Sequence, residues 1–264
     1  GRGVVEVTCN ETAFAALKEE GSVVSWGRES CGGRLAQAAG QLAEGVEALF
    51  HTESAFAALL VGGSVVAWGC ETDGGCIPEA AMQQLRGGVR DICGNRFAFA
   101  ALKEDGSVVT WGDAASGGDS SRVAEQLQGG IRSLHCCSYR GQDGRAFAAL
   151  KEEGAAVTWG DPRDGGDSSQ VVEQLASGVT AIDSNCFAFV ARKQCGGLVT
   201  WGAPSFGGDS NDVADQLTRE VTAIYRTETA FAALKSGGAV VTWGQASFGG
   251  DSSAVAAHLA AGVS

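Results

Sequence analysis

Nine cysteines, three histidines and a set of aspartates in glycine-rich loops are the residues of this 264-residue chain with types suited to chemistry. His135-Cys136-Cys137 sets three metal-binding side chains in a row. Tetrahedral zinc takes four ligands, usually from spaced pairs, and adjacent cysteines on an extended segment point to opposite sides. No C-x-x-C spacing occurs, so no metal site is expected. Cys70 and Cys76 bracket a single loop and are expected to form a disulfide. Closing so short a loop is worth roughly 2 kcal/mol by chain entropy.

The aspartates are Asp113 and Asp119, then Asp161, Asp164 and Asp167, then Asp209, then Asp251. Calcium takes about six to eight oxygens. Each loop offers one to three carboxylates with no glutamate to complete a set, so Asp119, Asp167, Asp209 and Asp251 read instead as caps on helix N-termini. His51, His135 and His258 have no nucleophile beside them, and neither a G-x-S-x-G elbow nor a phosphate loop occurs. No catalytic residue and no cofactor are expected, which makes the chain a non-enzyme on this reading.

The elements that must position these residues are repeated. AFAALKEDGSVVTWG, residues 98–112, recurs with few changes, and its Trp-Gly pair falls at Trp26, Trp68, Trp111, Trp159, Trp201 and Trp243. The steps are 42, 43, 48, 42 and 42 residues. A period of that size over a whole chain means stacked or radial supersecondary units. Within a copy, 98–102 is an apolar run, Asp105-Gly106 a turn, and 107–111 a β-branched and aromatic run, which is the signature of a hairpin. A third strand precedes it at 178–182 and 220–224 in two of the copies. The segment 117–127, GGDSSRVAEQL, spaces Val123, Ala124 and Leu127 for one face of a short helix.

The bulk properties agree with a globular, turn-rich chain: 44% apolar residues, 40 glycines and a formal charge of −12. Phosphate backbones are held by clustered Lys and Arg, so nucleic acid is not an expected partner. The longest apolar stretch, 55–68, is broken by Gly62-Gly63 and reads as a hairpin, not a transmembrane helix. Residues 259–264 match 175–180, and residues 3–5 match the same phase, so joining the ends would continue the repeat. This predicts one domain, 1–264, closed as a six-bladed β-propeller with about three strands and one short helix per repeat. The six Trp, with Phe14, Phe56, Phe99, Phe147, Phe189 and Phe231, are expected to form its core.

The repeat GV..I....AFAALK.DGSVV.WG....GG resembles that of the regulator-of-chromosome-condensation type propellers. Its short period is closest to the compact three-stranded bacterial members, of the β-lactamase inhibitor protein II type. Its wording is similar to Ala- and Gly-rich repeat proteins of single-celled algae. The chain departs from that pattern in its Gly-Gly-Asp-Ser-Ser loop, in having six copies where seven are usual, and in lacking a His before the Ala-Leu strand. The resemblance implies a binding or structural module. It does not carry over guanine-nucleotide exchange, because nothing here supplies a protruding β-wedge.

Recognition must then come from what is not repeated. The 48-residue step contains a longer loop, 137–145, with one of two tyrosines and two added arginines. Ser138, Tyr139, Arg140, Gln142, Asp143 and Arg145 are therefore the expected protein-binding residues. The leading expectation is a peripheral subunit of a larger assembly. Alternatives are an extrinsic subunit of an algal photosynthetic membrane complex, an inhibitor-like protein binder, and a carbohydrate-binding propeller. A chain starting at Gly1, with its cysteines crowded toward one side of the repeat, reads as processed for an oxidising or organellar compartment, thylakoid lumen or secreted, over cytosol.

Overall fold

The computed structural model describes residues 3–137, 144–260 and 262. Among them, eighteen short strands form six three-stranded sheets, each in chain order. They are β1 Val4–Cys9, β2 Ala13–Lys18 and β3 Val23–Gly27; β4 Val46–His51, β5 Ala55–Leu60 and β6 Val65–Gly69; and β7 Val89–Gly94, β8 Ala98–Lys103 and β9 Val108–Gly112. The remaining three sheets are β10 Ile131–Cys136, β11 Ala146–Lys151 and β12 Ala156–Gly160; β13 Val179–Ser184, β14 Ala188–Lys193 and β15 Leu198–Gly202; and β16 Val221–Arg226, β17 Ala230–Lys235 and β18 Val240–Gly244. The chain divides into two compact units, Gly1–Leu134 and His135–Ser264.

The alternation of AFAAL gives each sheet two unlike faces, because successive side chains of a strand point to opposite sides. In β8 the Phe99 and Ala101 side chains share a face with Val109 and Trp111 of β9, while Ala98, Ala100 and Leu102 take the other. Small residues on one sheet leave room for the rings of the next. In the first unit, Ala13, Ala15, Leu17 and Val23 pack on Phe56, Ala58, Val66 and Trp68. Ala55, Ala57, Leu59 and Val65 pack in the same way on Phe99, Ala101, Val109 and Trp111. The second unit repeats the junction, with Ala146, Ala148 and Leu150 against Phe189, Ala191, Val199 and Trp201, and with Ala188 and Val190 against Phe231, Ala233, Val241 and Trp243.

Each Phe is the cross-strand partner of its Trp, and the rings stack with centroids 5.1 to 5.4 Å apart. Over the pair lies the loop that follows Trp-Gly in the preceding repeat. Trp68, Trp111, Trp201 and Trp243 donate through Nε1 to the carbonyls of Gly32, Gly74, Gly165 and Gly207 at 3.0, 3.0, 3.1 and 3.1 Å. These glycines have φ near +95°, and a Cβ on any of them would stand about 2.6 Å from the Phe ring. The Gly-Gly of the repeat is thus fixed by the aromatic pair of the next one.

Trp68, Trp111, Trp159, Trp201 and Trp243 are buried, as the repeat predicts, but Trp26 is 47% exposed and Phe14 43% exposed. The physical reason is local: among the described residues of the first unit, no such loop covers the β1–β3 sheet.

The expected helix forms only in part. Ser121–Leu127 and Asn211–Leu217 are 3₁₀ throughout, and α-helical turns of four residues occur at Glu79–Met82, Val172–Leu175 and Ala256–Leu259. Seven residues between a glycine turn and a strand are too few to sustain an α-helix without tertiary support. What anchors the segment is a leucine at its end: Leu42, Leu85, Leu127, Leu175 and Leu217 are all fully buried. Asp119, Asp167, Asp209 and Asp251 accept the amide two residues on, at 2.8 to 2.9 Å, so they cap turns in the Asx manner instead of long helices.

Candidate interaction face

One end of each sheet is built from two loops, that between its first and second strands and that after Trp-Gly. A single side chain three residues before the second strand joins them in five of the repeats. Asn10 and Asn95 donate through Nδ2 to the carbonyls of Cys31 and Ser116 at 2.8 and 2.7 Å, and Thr52 through Oγ1 to that of Asp73 at 2.9 Å. In the second unit, Asn185 and Thr227 donate to Phe206 and Phe248 at 2.7 and 3.0 Å. The partner is always 21 residues further on. The same side chains accept from the amide that opens the second strand, as Asn95 Oδ1 does from Ala98 at 2.9 Å. Asn10, Thr52, Asn95 and Asn185 are buried, and buried amide and hydroxyl groups need such partners.

Repeat four places a cysteine in that position. The Cys137 thiol donates to the carbonyl of Asp164, 3.0 Å away and 27 residues on, the six-residue longer loop accounting for the difference. Burial pushes this thiol well above the usual cysteine range, so it is a neutral donor and no nucleophile. Beside it, Arg145 pairs through Nη2 with Asp161 at 2.9 Å and through Nε with Asp164 at 3.3 Å. Arg163 adds a second guanidinium to Asp161 at 2.9 Å. The hydrogen bonds from Arg163 hold Asp161 below the usual carboxylate range, whereas burial raises Asp164 in spite of Arg145. The base of the longer loop is therefore a four-residue ion network on a buried floor.

Neighbouring first-to-second-strand loops also bind one another. Glu53 donates its amide to the Arg96 carbonyl at 2.8 Å, and Glu53 and Arg96 form a side-chain ion pair. In the second unit, the Cys186 amide donates to the Glu228 carbonyl at 3.2 Å. The loops form a braced surface within each unit, and their outward residues differ from repeat to repeat.

Of the residues expected to bind a partner, Arg145 is at this surface, two-thirds shielded, with its guanidinium engaged as above. Ser138, Tyr139, Arg140, Gln142 and Asp143 lie outside the described residues. Cys70 and Cys76 are separate thiols here, without the expected disulfide: Cys70 Sγ lies 3.2 Å from Thr72 Oγ1, and Cys76 Sγ faces the Ile77 carbonyl. The loop between them is already closed by the backbone, the Gly75 amide donating to the Cys70 carbonyl at 2.8 Å.

Two positions that shape this face escape a reading of motifs. One is the Asn/Thr/Cys side chain that ties the loops, detectable only by aligning the repeats on their second strands. The other is a coupled pair, Thr110 with Ser120, Thr158 with Ser168, Thr200 with Ser210 and Thr242 with Ser252, each 2.9 to 3.0 Å apart. Where the first partner is Ser25 or Ala67, the residue ten further on is Leu35 or Ile77, so the pair changes together.

No protein-family model matches the sequence, and no curated protein does. Solved structures do match in fold. The ectodomain of the Physcomitrella patens receptor kinase CR4 is 16% identical with a TM-score of 0.51, over 93% of this chain and 62% of that one. This chain thus spans less than two thirds of that ectodomain. Human WBSCR16 is 13% identical with a TM-score of 0.52, over 92% of this chain and 77% of that one. Prp20p, the RCC1 of Saccharomyces cerevisiae, is 16% identical with a TM-score of 0.50, over 91% and 72%. The fold is a β-propeller of the RCC1 type. Its blades here are six three-stranded sheets.

Proposed function

We propose that this chain is a non-catalytic protein-interaction module, a peripheral subunit of a larger assembly, which docks through the face of tied loops. The observation that carries the reading is the repeated hydrogen bond from Asn10, Thr52, Asn95, Cys137, Asn185 and Thr227 to the loop after Trp-Gly. It holds a rigid platform while leaving the residues above it free to vary, and binding residues concentrate on loops held by a rigid scaffold. The longer loop of repeat four ends at Arg145, which belongs to the network with Asp161, Asp164 and Arg163, and Tyr139 and Arg140 are its contact residues on this reading, together with Ser138, Gln142 and Asp143. Support by likeness comes from yeast RCC1, which binds Gsp1p and histones and has been solved with Kap60 bound.

The other end of the sheets carries charged turns such as Lys151 with Glu153, a partly exposed pair at 3.0 Å. Exposed pairs of this kind contribute little and solvate the surface. The test is affinity capture of the native protein's partner with chemical cross-linking, repeated with Tyr139 and Arg140 both changed to Ala. Association should weaken at least tenfold with thermal stability unchanged. Association that survives this change, but is lost on reversing the charges of Lys151 and Glu153, would place recognition at the opposite end.

A further inference from the structure

Two departures from the repeat meet inside the second unit. Where the other repeats tie their loops with Asn or Thr, repeat four has Cys137. One place after the tie, where Glu11, Glu53, Arg96 and Glu228 are charged, repeat five has Cys186. Both cysteines are fully buried. Besides its bond to Asp164, the Cys137 sulfur lies 3.9 Å from the carbonyl of Ala188. That carbonyl accepts the Asn185 amide at 3.0 Å and so closes the turn that contains Cys186. Gly144 makes the approach possible: a Cβ there would stand 2.3 Å from the Cys137 Cβ and 2.2 Å from the Cys186 carbonyl oxygen. A side chain at 144 would push the two cysteines apart. Their nearness also contributes to the charge state of Cys137, whose thiol is raised by burial first and then by Cys136, Asp164 and Cys186.

We propose that Cys137 and Cys186 form a disulfide between the loops of repeats four and five when the chain folds with a small-molecule disulfide, such as oxidised glutathione, as oxidant. One cysteine thiolate attacks the oxidant, giving a mixed disulfide and releasing one small thiolate. The other cysteine thiolate then attacks the protein sulfur of the mixed disulfide, and a second small thiolate leaves. The two protein thiols thus give up two electrons and two protons, and the oxidant ends as two thiols. The step belongs to folding, because both sulfurs are buried once the unit is formed. The other cysteines of this unit are placed less well. Cys136 ends β10 immediately before Cys137, and neighbouring side chains of an extended segment point apart. Cys195 is exposed in the turn between β14 and β15, at the other end of the sheet. The crosslink takes the place of the hydrogen bond from Cys137 to Asp164 and fastens the start of the 137–145 loop to its neighbour, whatever that loop binds.

The test refolds the reduced full chain from urea in a mixture of reduced and oxidised glutathione, blocks the remaining thiols with N-ethylmaleimide, and maps unreduced peptides by mass spectrometry. If the parent refolds incompletely, the same mapping is made on protein exported to the oxidising bacterial periplasm. The peptides of Cys137 and Cys186 should appear joined, two hydrogens lighter than the pair. Cys136 shares a tryptic peptide with Cys137, so the link should survive in Cys136→Ser and vanish in Cys137→Thr, which keeps a hydroxyl donor like that of Thr52. Cys186→Ser replaces Cys137→Thr if the latter does not fold. Dithiothreitol should lower the melting temperature of the parent by at least about 5 °C more than that of the unlinked variant. Recovery of both Cys137 and Cys186 as blocked thiols in folded protein overturns the inference. So does pairing of either with Cys136 or Cys195, or an equal effect of dithiothreitol on parent and variant.

Discussion

Trp111 donates its indole N–H to the carbonyl of Gly74, 3.0 Å away and 37 residues earlier in the chain. The bond links the ring-bearing face of one repeat to the loop of the repeat before it, and the ring lies wholly inside the junction. Trp26 occupies the same repeat position with nearly half its surface in solvent. Trp111→Ala should therefore destabilise by about 3–5 kcal/mol, as large buried aromatics do, and Trp26→Ala by less than about half of that at low protein concentration. Urea denaturation of the two variants side by side checks the contrast.

Asn95 has one side-chain donor and one acceptor engaged at once, with the Ser116 carbonyl at 2.7 Å and the Ala98 amide at 2.9 Å. Removing it orphans both in a buried site, so Asn95→Ala should cost at least about 2 kcal/mol. Asn95→Thr should recover most of the loss, because Thr52 makes the equivalent pair of bonds at 2.9 and 3.1 Å. Midpoints of chemical unfolding would decide, and equal losses for both variants would mean that packing and not hydrogen bonding is responsible.

The cysteines should divide by reactivity. Cys9, Cys76 and Cys195 are exposed, whereas Cys137 is buried with its thiol held neutral. At pH 8, iodoacetamide should label the exposed three within minutes and leave Cys137 unlabelled until the chain unfolds. Time-resolved peptide mapping by mass spectrometry reads this directly. Prompt labelling of Cys137 would show that the Asp164 carbonyl is not its partner in solution.

Acid should weaken the turns after Trp-Gly. The amides of Ser121, Ser169 and Ser253 hold Asp119, Asp167 and Asp251 below the 3.8 of a free aspartate. A folded-state value lower than the unfolded one gives stability that is complete above the unfolded value and lost as pH falls through the folded one. The carboxylates are exposed, so each effect is small and the three are best changed together. With all three replaced by Asn, which keeps the acceptor but does not titrate, the melting temperature should fall less steeply between pH 5 and about pH 3 than in the parent. Parallel curves would exclude the carboxylates as the source.

The fold was readable from the sequence because its determinants are periodic and local. Phe and Trp at fixed places, a turn glycine and a 43-residue step near 98–112 specify strand, hairpin and repeat without any long-range information. The helix was over-read at Ser121–Leu127, because Val123, Ala124 and Leu127 suit a helical face equally well in a 3₁₀ turn whose single anchor is Leu127. The tying role of Asn95 or Cys137 was not visible as a motif, since its partner is a backbone carbonyl, which has no residue type to recognise. The exposed state of Trp26 was hidden for a different reason: identity of sequence between repeats does not guarantee identity of neighbours.

The bond from Cys137 to Asp164 spans six more residues than its five counterparts and yet closes the same gap. The interval between that anchor and the second strand is therefore insulated: whatever is spliced into it begins and ends at points already clamped to the blade. Such an interval acts as a port. Foreign peptides or epitopes inserted between Cys137 and Arg145, or after Asn95 or Asn185, would be displayed on a braced base at little expense to the core, which makes this chain a frame for engineered recognition as well as natural variation.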